Sequence, residues 1–201
     1  KFLLKLEDGN TIETVLIPAR NRLTQCISSQ VGCAIGCTFC HTGTQGLTRN
    51  LETSEIVGQY LGISNWLKEN VHEEEKITNM VYMGQGEPLH NFDNVKKATE
   101  NFLDDNAAGL GQRRITLSTS GLVAKIKKLD EFPPVNIAIS LHSARNDIRS
   151  ELMPINRAQN LEMLFEAIKS IYFSAINFVA PITLDGLTAL SVDIKTNDLI
   201  E

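Results

Sequence analysis

An α/β fold, with a parallel sheet and helices packed outside it, is predicted by three observations. Strand-period and helix-period segments alternate along most of the chain. Three strands carry apolar residues on one face and small polar residues on the other. A glycine-bearing loop, Gly84-Gln85-Gly86-Glu87, stands between a strand and a helix, where α/β sheets bind ligands.

Taken in order, residues 1–17 alternate apolar and polar around Asp8, Gly9 and Asn10 and read as a β-hairpin. Strands are expected at 23–31, 77–83, 114–120, 135–142 and 175–183, and helices at 54–67, 92–104, 122–130 and 160–172. Thr53 or Ser54, and Asn91, are the expected N-caps. Leu161, Leu164, Phe165, Ile168 and Ile171 form one helical face and read as core. This separates a hairpin, residues 1–22, from the α/β core over 23–201.

With 201 residues, 42% hydrophobic and 21% charged, the composition fits one soluble globular domain. No apolar run approaches the ~20 residues of a membrane span, and no secretory leader opens the chain, so a cytoplasmic protein without membrane contact is expected. The net charge of -5 leaves no electrostatic footprint for nucleic acid. Arg20 with Arg22, Arg113 with Arg114, and Lys125 with Lys127 and Lys128 read as solvated surface groups. The chain starts at Lys1 rather than methionine and reads as part of something longer.

The polar strand faces deserve comparison. Leu23, Ile27 and Val31 alternate with Thr24, Cys26, Ser28 and Gln30. Ile115 and Leu117 alternate with Thr116, Ser118 and Ser120, and Ile137, Ile139 and Leu141 with Ala138, Ser140 and His142. Strands buried on both faces usually read as continuous apolar runs. Here one face suits packing against helices and the other suits a ligand. Period-two geometry turns Cys26, Ser118, Ser140 and His142 to that inner side.

Three of the four cysteines, Cys33, Cys37 and Cys40, are spaced C-x3-C-x2-C on one loop. Three thiolates can hold three corners of a cubane iron–sulfur cluster and leave the fourth iron open to a substrate. The same residues with His41 could instead form a three-cysteine, one-histidine zinc knot. Adjacent Cys40 and His41 reach one tetrahedral ion poorly. Seven extended residues separate Cys26 from Cys33 by up to ~23 Å, so Cys26 is not read as a fourth ligand.

The Gly84–Glu87 loop lacks the third glycine of a dinucleotide fingerprint, and Glu87 would repel a pyrophosphate. A carboxylate here suits an ammonium group, such as that of an amino acid.

The cysteine loop, the run Gly84-Gln85-Gly86-Glu87-Pro88-Leu89, the run Thr116 to Gly121, Ser140-Leu141-His142-Ser143 and Leu152-Met153-Pro154-Ile155-Asn156 occur in this order. Over about residues 1–157 the chain resembles the radical S-adenosylmethionine (SAM) methyltransferases that act on adenine C2 of 23S rRNA and tRNA. The resemblance implies a partial (βα)6 barrel, incomplete at its C-terminal end and preceded by the hairpin. It implies a [4Fe-4S] cluster on Cys33, Cys37 and Cys40 whose open iron chelates SAM, and reductive cleavage to a 5′-deoxyadenosyl radical. Gly86 and Glu87 match the SAM amino-group site. Ser118, Ser140, Leu141 and His142 match further SAM contacts, that of Leu141 through its backbone. Cys26 matches the cysteine that resolves a protein–RNA adduct, and Glu13 the general base for the C2 proton. A reductant protein is implied as electron donor.

The chain also departs from that pattern. A small helical domain before the hairpin is missing. So is a methyl-carrying cysteine, since none follows Cys40. An Asn-Pro segment on the last barrel strand is also missing, and Ala180 and Pro181 precede the recognisable Thr183-Leu184-Asp185-Gly186 in place of polar residues. The pattern therefore reads as a truncated or decayed member. An adenine-C8 rRNA methyltransferase relative and a non-catalytic metal-bound or vestigial fragment are the competing readings.

Overall fold

A computed structural model describes residues 1–72 and 74–171, together with the backbone of 176–179 and 191–194. The hairpin is β1 (Phe2–Lys5) and β2 (Thr11–Ala19), followed by β3 (Arg22–Cys26). A small ribbon, β4 (Gln30–Gly32) and β5 (Leu47–Asn50), brackets the cysteine loop and the single turn α1 (His41–Thr44). Then come α2 (Thr53–Asn70), β6 (Asn79–Tyr82), α3 (Phe92–Leu103), β7 (Ile115–Thr119), α4 (Val123–Ile126) and β8 (Asn136–Ser140). The last are α5 (Asn146–Leu152), α6 (Leu161–Lys169), β9 (Ile176–Val179) and β10 (Ser191–Ile194).

Among the described residues the main sheet runs β1-β2-β3-β6-β7-β8-β9-β10. The strands β3, β6, β7, β8 and β9 are mutually parallel, with the hairpin antiparallel at one edge and β10 antiparallel at the other. This is the partial βα barrel expected. Parallel neighbours need crossovers, and the helices supply them.

The sheet's outer face carries the core. Met80, Ile115, Leu117 and Ile137 are fully buried, in one cluster with Val95, Ala98 and Phe102 of α3, Ile126 of α4, and Leu164 and Ile168 of α6. Truncating Met80, Ile115, Leu117 or Ile137 to alanine costs about 2–5 kcal/mol. The α6 stripe read from sequence is that packing face, with Phe165 and Ile171 joining it.

Three expectations shift. The strand expected at 23–31 breaks after Cys26. The Ser28 N–H donates to Gln59 Oε1 of α2 and the Ser28 C=O accepts from Gln59 Nε2, at 2.8 Å each, so a side chain replaces the neighbouring strand. The helix expected at 122–130 is one turn of α-helix followed by a 3-10 turn, Leu129–Glu131. Its buried anchors, Val123, Ile126 and Leu129, recur every three residues, a spacing that suits the tighter winding. Glu52, not Thr53 or Ser54, precedes α2, and its N–H donates to the Glu55 carboxylate at 2.8 Å. Asn91 does stand at the N-cap of α3, but its amide donates to the carbonyls of Ser29 and Leu51 and ties that helix to the chain around the ribbon. The expected strand at 175–183 is described only over β9, and Ala180, Pro181 and Thr183 to Gly186 lie outside the described residues.

The ribbon depends on Gly32. Its φ is +78°, and a Cβ there would lie 1.9 Å from the Gly46 carbonyl oxygen. Only glycine permits that approach one residue before Cys33.

Candidate active site

The cysteine loop is held at both ends. The Cys33 N–H donates to the Gly46 carbonyl at 2.9 Å, and the Thr38 N–H donates to the Leu152 carbonyl at the end of α5, also at 2.9 Å. Cys33, Cys37 and Cys40 line one cavity of about 290 Å³ with Gly84, Gly86, Glu87, Ser118, Ser140 and His142. Burial raises the Cys33 thiol and pushes Cys37 up to about 11, with Cys33 and Cys40 adding to the Cys37 shift. Metal must therefore displace protons to bind these sulfurs. No three His, Cys, Asp or Glu side chains among the described residues converge as a single ion requires. The three thiols share one cavity wall without His41, so this donor set suits a cluster better than a three-cysteine, one-histidine zinc site.

The glycines of the Gly84–Glu87 loop lie flush against the ends of the first strands. A Cβ on Gly84 would meet the Ile27 carbonyl oxygen at 2.6 Å. Gly86 has φ +97°, and its Cβ would lie 2.5 Å from that of Gln30. Glu87 is 3% exposed. Its Oε1 accepts from the Leu89 N–H at 3.0 Å, and its Oε2 accepts from the Ser120 N–H and hydroxyl, both at 2.7 Å. A carboxylate offers about four acceptor positions, so roughly one remains for a ligand.

Ser118 and Ser140 face the cavity, as the pleat predicts. His142 also reaches it, but not by strand periodicity, because β8 ends at Ser140 and His142 has φ +61°. Its ring stands 4.3 Å from that of Phe39 on the cysteine loop. Burial, aided by Arg149, lowers its pKa to about 4, so the ring is neutral at pH 7. Its Nδ1 is buried with no hydrogen-bond partner in the protein. An orphaned polar atom on the wall of a polar cavity fits a missing ligand. Leu141 does not line the cavity; its carbonyl accepts from Arg149 Nε at 3.0 Å and from the Ser143 N–H at 2.8 Å.

Residues 27–188 match the Radical SAM superfamily. The chain belongs to the radical SAM superfamily. The superfamily's cofactors are a [4Fe-4S] cluster and SAM, and the residues just described fit both. The chain is 45% identical to a probable dual-specificity RNA methyltransferase RlmN of Aquifex aeolicus, over 98% of this chain and 56% of that protein. It is 51% identical to the corresponding Dictyoglomus turgidum protein, over 83% of this chain and 47% of that one. It thus spans about half the length of these relatives. A radical SAM methyltransferase structure from Sphaerobacter thermophilus superposes with a TM-score of 0.78 at 42% identity, covering 83% of this chain and 48% of that one.

The two remaining sequence-predicted residues of this radical SAM chain do not line the cavity. Register nevertheless puts both on its side of the sheet. Val15 pairs with Cys26, Cys26 with Val81, and Val81 with Thr116, so all four share one face with Ser118. Glu13, two residues before Val15, shares it too. The Cys26 thiol is buried, which raises its pKa, and it accepts from the backbone N–H of Met83, itself on the cavity wall. The Glu13 carboxylate is half-exposed and pairs with Lys1 at 2.6 Å. The Glu13 carbonyl accepts from the Ser28 hydroxyl at 2.6 Å, and that hydroxyl accepts from the Gln85 N–H at 2.9 Å. One serine thus links the hairpin to the glycine loop.

Sequence reasoning missed Ser120 and Arg149. Ser120 belongs to the run that contains Ser118, and its value lies in gripping Glu87. Arg149 sits in a charged segment with no apolar period, for which no element is expected, yet it is buried. A larger cleft of about 690 Å³ lies between the hairpin and α2. It has no sulfur donor on its walls, and of its charged lining groups Asp8 and Glu55 pair with Arg49.

No helix among the described residues is long and apolar enough to cross a membrane.

Proposed function

We propose that the chain is the catalytic-core part of a methyltransferase that methylates C2 of adenine in 23S rRNA and tRNA, supplied with electrons by a reductant protein. The observation that carries this is one cavity lined by three thiols, a buried carboxylate and an orphaned histidine nitrogen, in a chain about half identical to RNA methyltransferases. In this reading Cys33, Cys37 and Cys40 hold the cluster. Glu87, fixed by Ser120 and Leu89, receives the amino group of SAM beside Gly86. Ser118, Ser140 and His142 meet the rest of SAM from the strand ends, and Leu141 contributes backbone. When bound, the cluster and SAM supply the radical chemistry. Cys26 resolves the covalent RNA adduct, and Glu13, freed from Lys1, takes the C2 proton of adenine.

A methyl carrier must be a thiol not engaged by iron. Cluster binding occupies Cys33, Cys37 and Cys40, and Cys26 is reserved for resolution, so these 201 residues contain no spare thiol. The test is anaerobic incubation of the reconstituted chain with SAM, reductant and a 23S rRNA fragment or tRNA, with products read by mass spectrometry. Formation of 5′-deoxyadenosine without multiple-turnover RNA methylation is expected. Absence of SAM cleavage contradicts the cofactor assignment, and catalytic 2-methyladenosine contradicts the need for a further thiol.

A further inference from the structure

Arg149 is the largest fully buried side chain among the described residues, 1% exposed. All its hydrogen bonds go to neutral oxygens. Nε donates to the Leu141 carbonyl at 3.0 Å, Nη1 to Asn156 Oδ1 at 2.7 Å, and Nη2 to the Ser120 carbonyl at 2.7 Å and the Ser140 carbonyl at 3.4 Å. No carboxylate among the described residues forms a salt bridge with it. Buried guanidinium groups are normally paired, because an uncompensated interior charge is strongly unfavourable.

The position of Arg149 identifies what compensates it. Its helix, α5, ends at Leu152, whose carbonyl holds Thr38 between Cys37 and Cys40. Met153, the next residue, lines the same cavity as the cysteines. The Ser120 and Ser140 carbonyls that Arg149 grips belong to residues on that cavity's wall. Desolvation works against the charged guanidinium, while Cys37, once ionised, favours it.

We propose that Arg149 is a positioning residue that supplies the buried positive charge facing the thiolate-bound cluster, so that it raises the cluster's reduction potential while tying the ends of β7 and β8 to the cysteine loop. This rests on the cluster assignment above. Three thiolates leave a [4Fe-4S] site net negative, and the electron accepted on reduction adds one more negative charge. A fixed cation nearby stabilises the reduced form more than the oxidised one, and net charge and surroundings are among the levers that set cluster potentials.

The experiment compares wild type, R149K and R149Q after anaerobic reconstitution. Iron per chain, far-UV circular dichroism and the one-electron midpoint potential by mediated titration are the readouts. R149K keeps the charge and should stay near the wild-type potential. Folded, loaded R149Q should be harder to reduce by roughly tenfold in the reduced-to-oxidised ratio, about 59 mV more negative. A folded R149Q that takes up no iron while R149K does also supports the proposal, because charge then decides cluster retention. Equal potentials in all three, equal shifts in both variants, or loss of fold or iron in both would overturn it, since shape and hydrogen bonding would then suffice. Wild type without iron would instead contradict the cluster assignment itself.

Discussion

Glu87 and Glu13 show how differently two carboxylates of one sheet can be held. Glu87 is buried and fixed by three protein donors beside the cysteine loop. Glu13, on the hairpin at the sheet edge, is half-exposed and held by a single lysine. The first is preorganised on the wall of the cavity that the three thiols share. The second is held loosely, since an exposed pair such as Lys1 with Glu13 contributes only about 0–1 kcal/mol. Fixed groups therefore gather at the strand ends, and the adaptable ones lie on the hairpin.

The largest effect that would sharpen this contrast concerns the sulfurs. Cys33→Ala, Cys37→Ala and Cys40→Ala should each abolish iron uptake, whereas Cys26→Ala should retain it. Iron analysis after reconstitution checks this, and loss of iron from the Cys26 variant would break the division between the regions.

The two carboxylates come next. Glu87→Gln should weaken SAM binding by roughly 10–100-fold, the equivalent of about 1.5–3 kcal/mol for a charge-assisted hydrogen bond. Glu13→Gln should leave SAM affinity unchanged. Isothermal titration of both variants decides it, and equal affinities would contradict the assignment.

Backbone geometry gives a smaller effect. Gly86→Ala would force a side chain into a φ of +97° and against Gln30. Left-handed strain costs about 1–3 kcal/mol, and the collision adds to it. Glu13→Gln should cost under about 1 kcal/mol. Denaturant titrations compare the two.

The smallest effect is on pH dependence. The folded-state pKa of His142 lies below its unfolded value, near 4 against about 6.5. The unfolded chain therefore binds the proton first as pH falls. The stability contributed by the neutral ring is complete above about pH 6.5 and is lost as pH drops toward about 4. His142→Asn, which tolerates φ above zero, should show a shallower acid loss between those values. Urea midpoints across this range measure the difference.

Much of this was legible in the sequence because it is local. The thiol spacing on one loop, the glycine loop after a strand and the alternation in β7 and β8 each depend on residues near one another, and the structure brings them onto one cavity. What could not be read depends on distant partners. The break after Cys26 follows from Gln59, more than thirty residues away, whose side chain takes the place of a strand. The helix α5 has charged residues where a core stripe would show, and the buried Arg149 is gripped by carbonyls at the ends of β7 and β8. His142 reaches the cavity through a left-handed residue that strand periodicity does not foresee.

The central claim is that the three-thiol loop and the Glu87 cavity form one site, where a cluster with an open iron meets SAM. Electron paramagnetic resonance of the reduced, reconstituted chain, recorded with and without SAM, tests it most directly. The account predicts about four irons per chain and a cluster signal that changes on SAM addition in wild type, and does so at higher SAM concentration in Glu87→Gln. One zinc per chain, or a four-iron signal that SAM leaves unchanged, would contradict it.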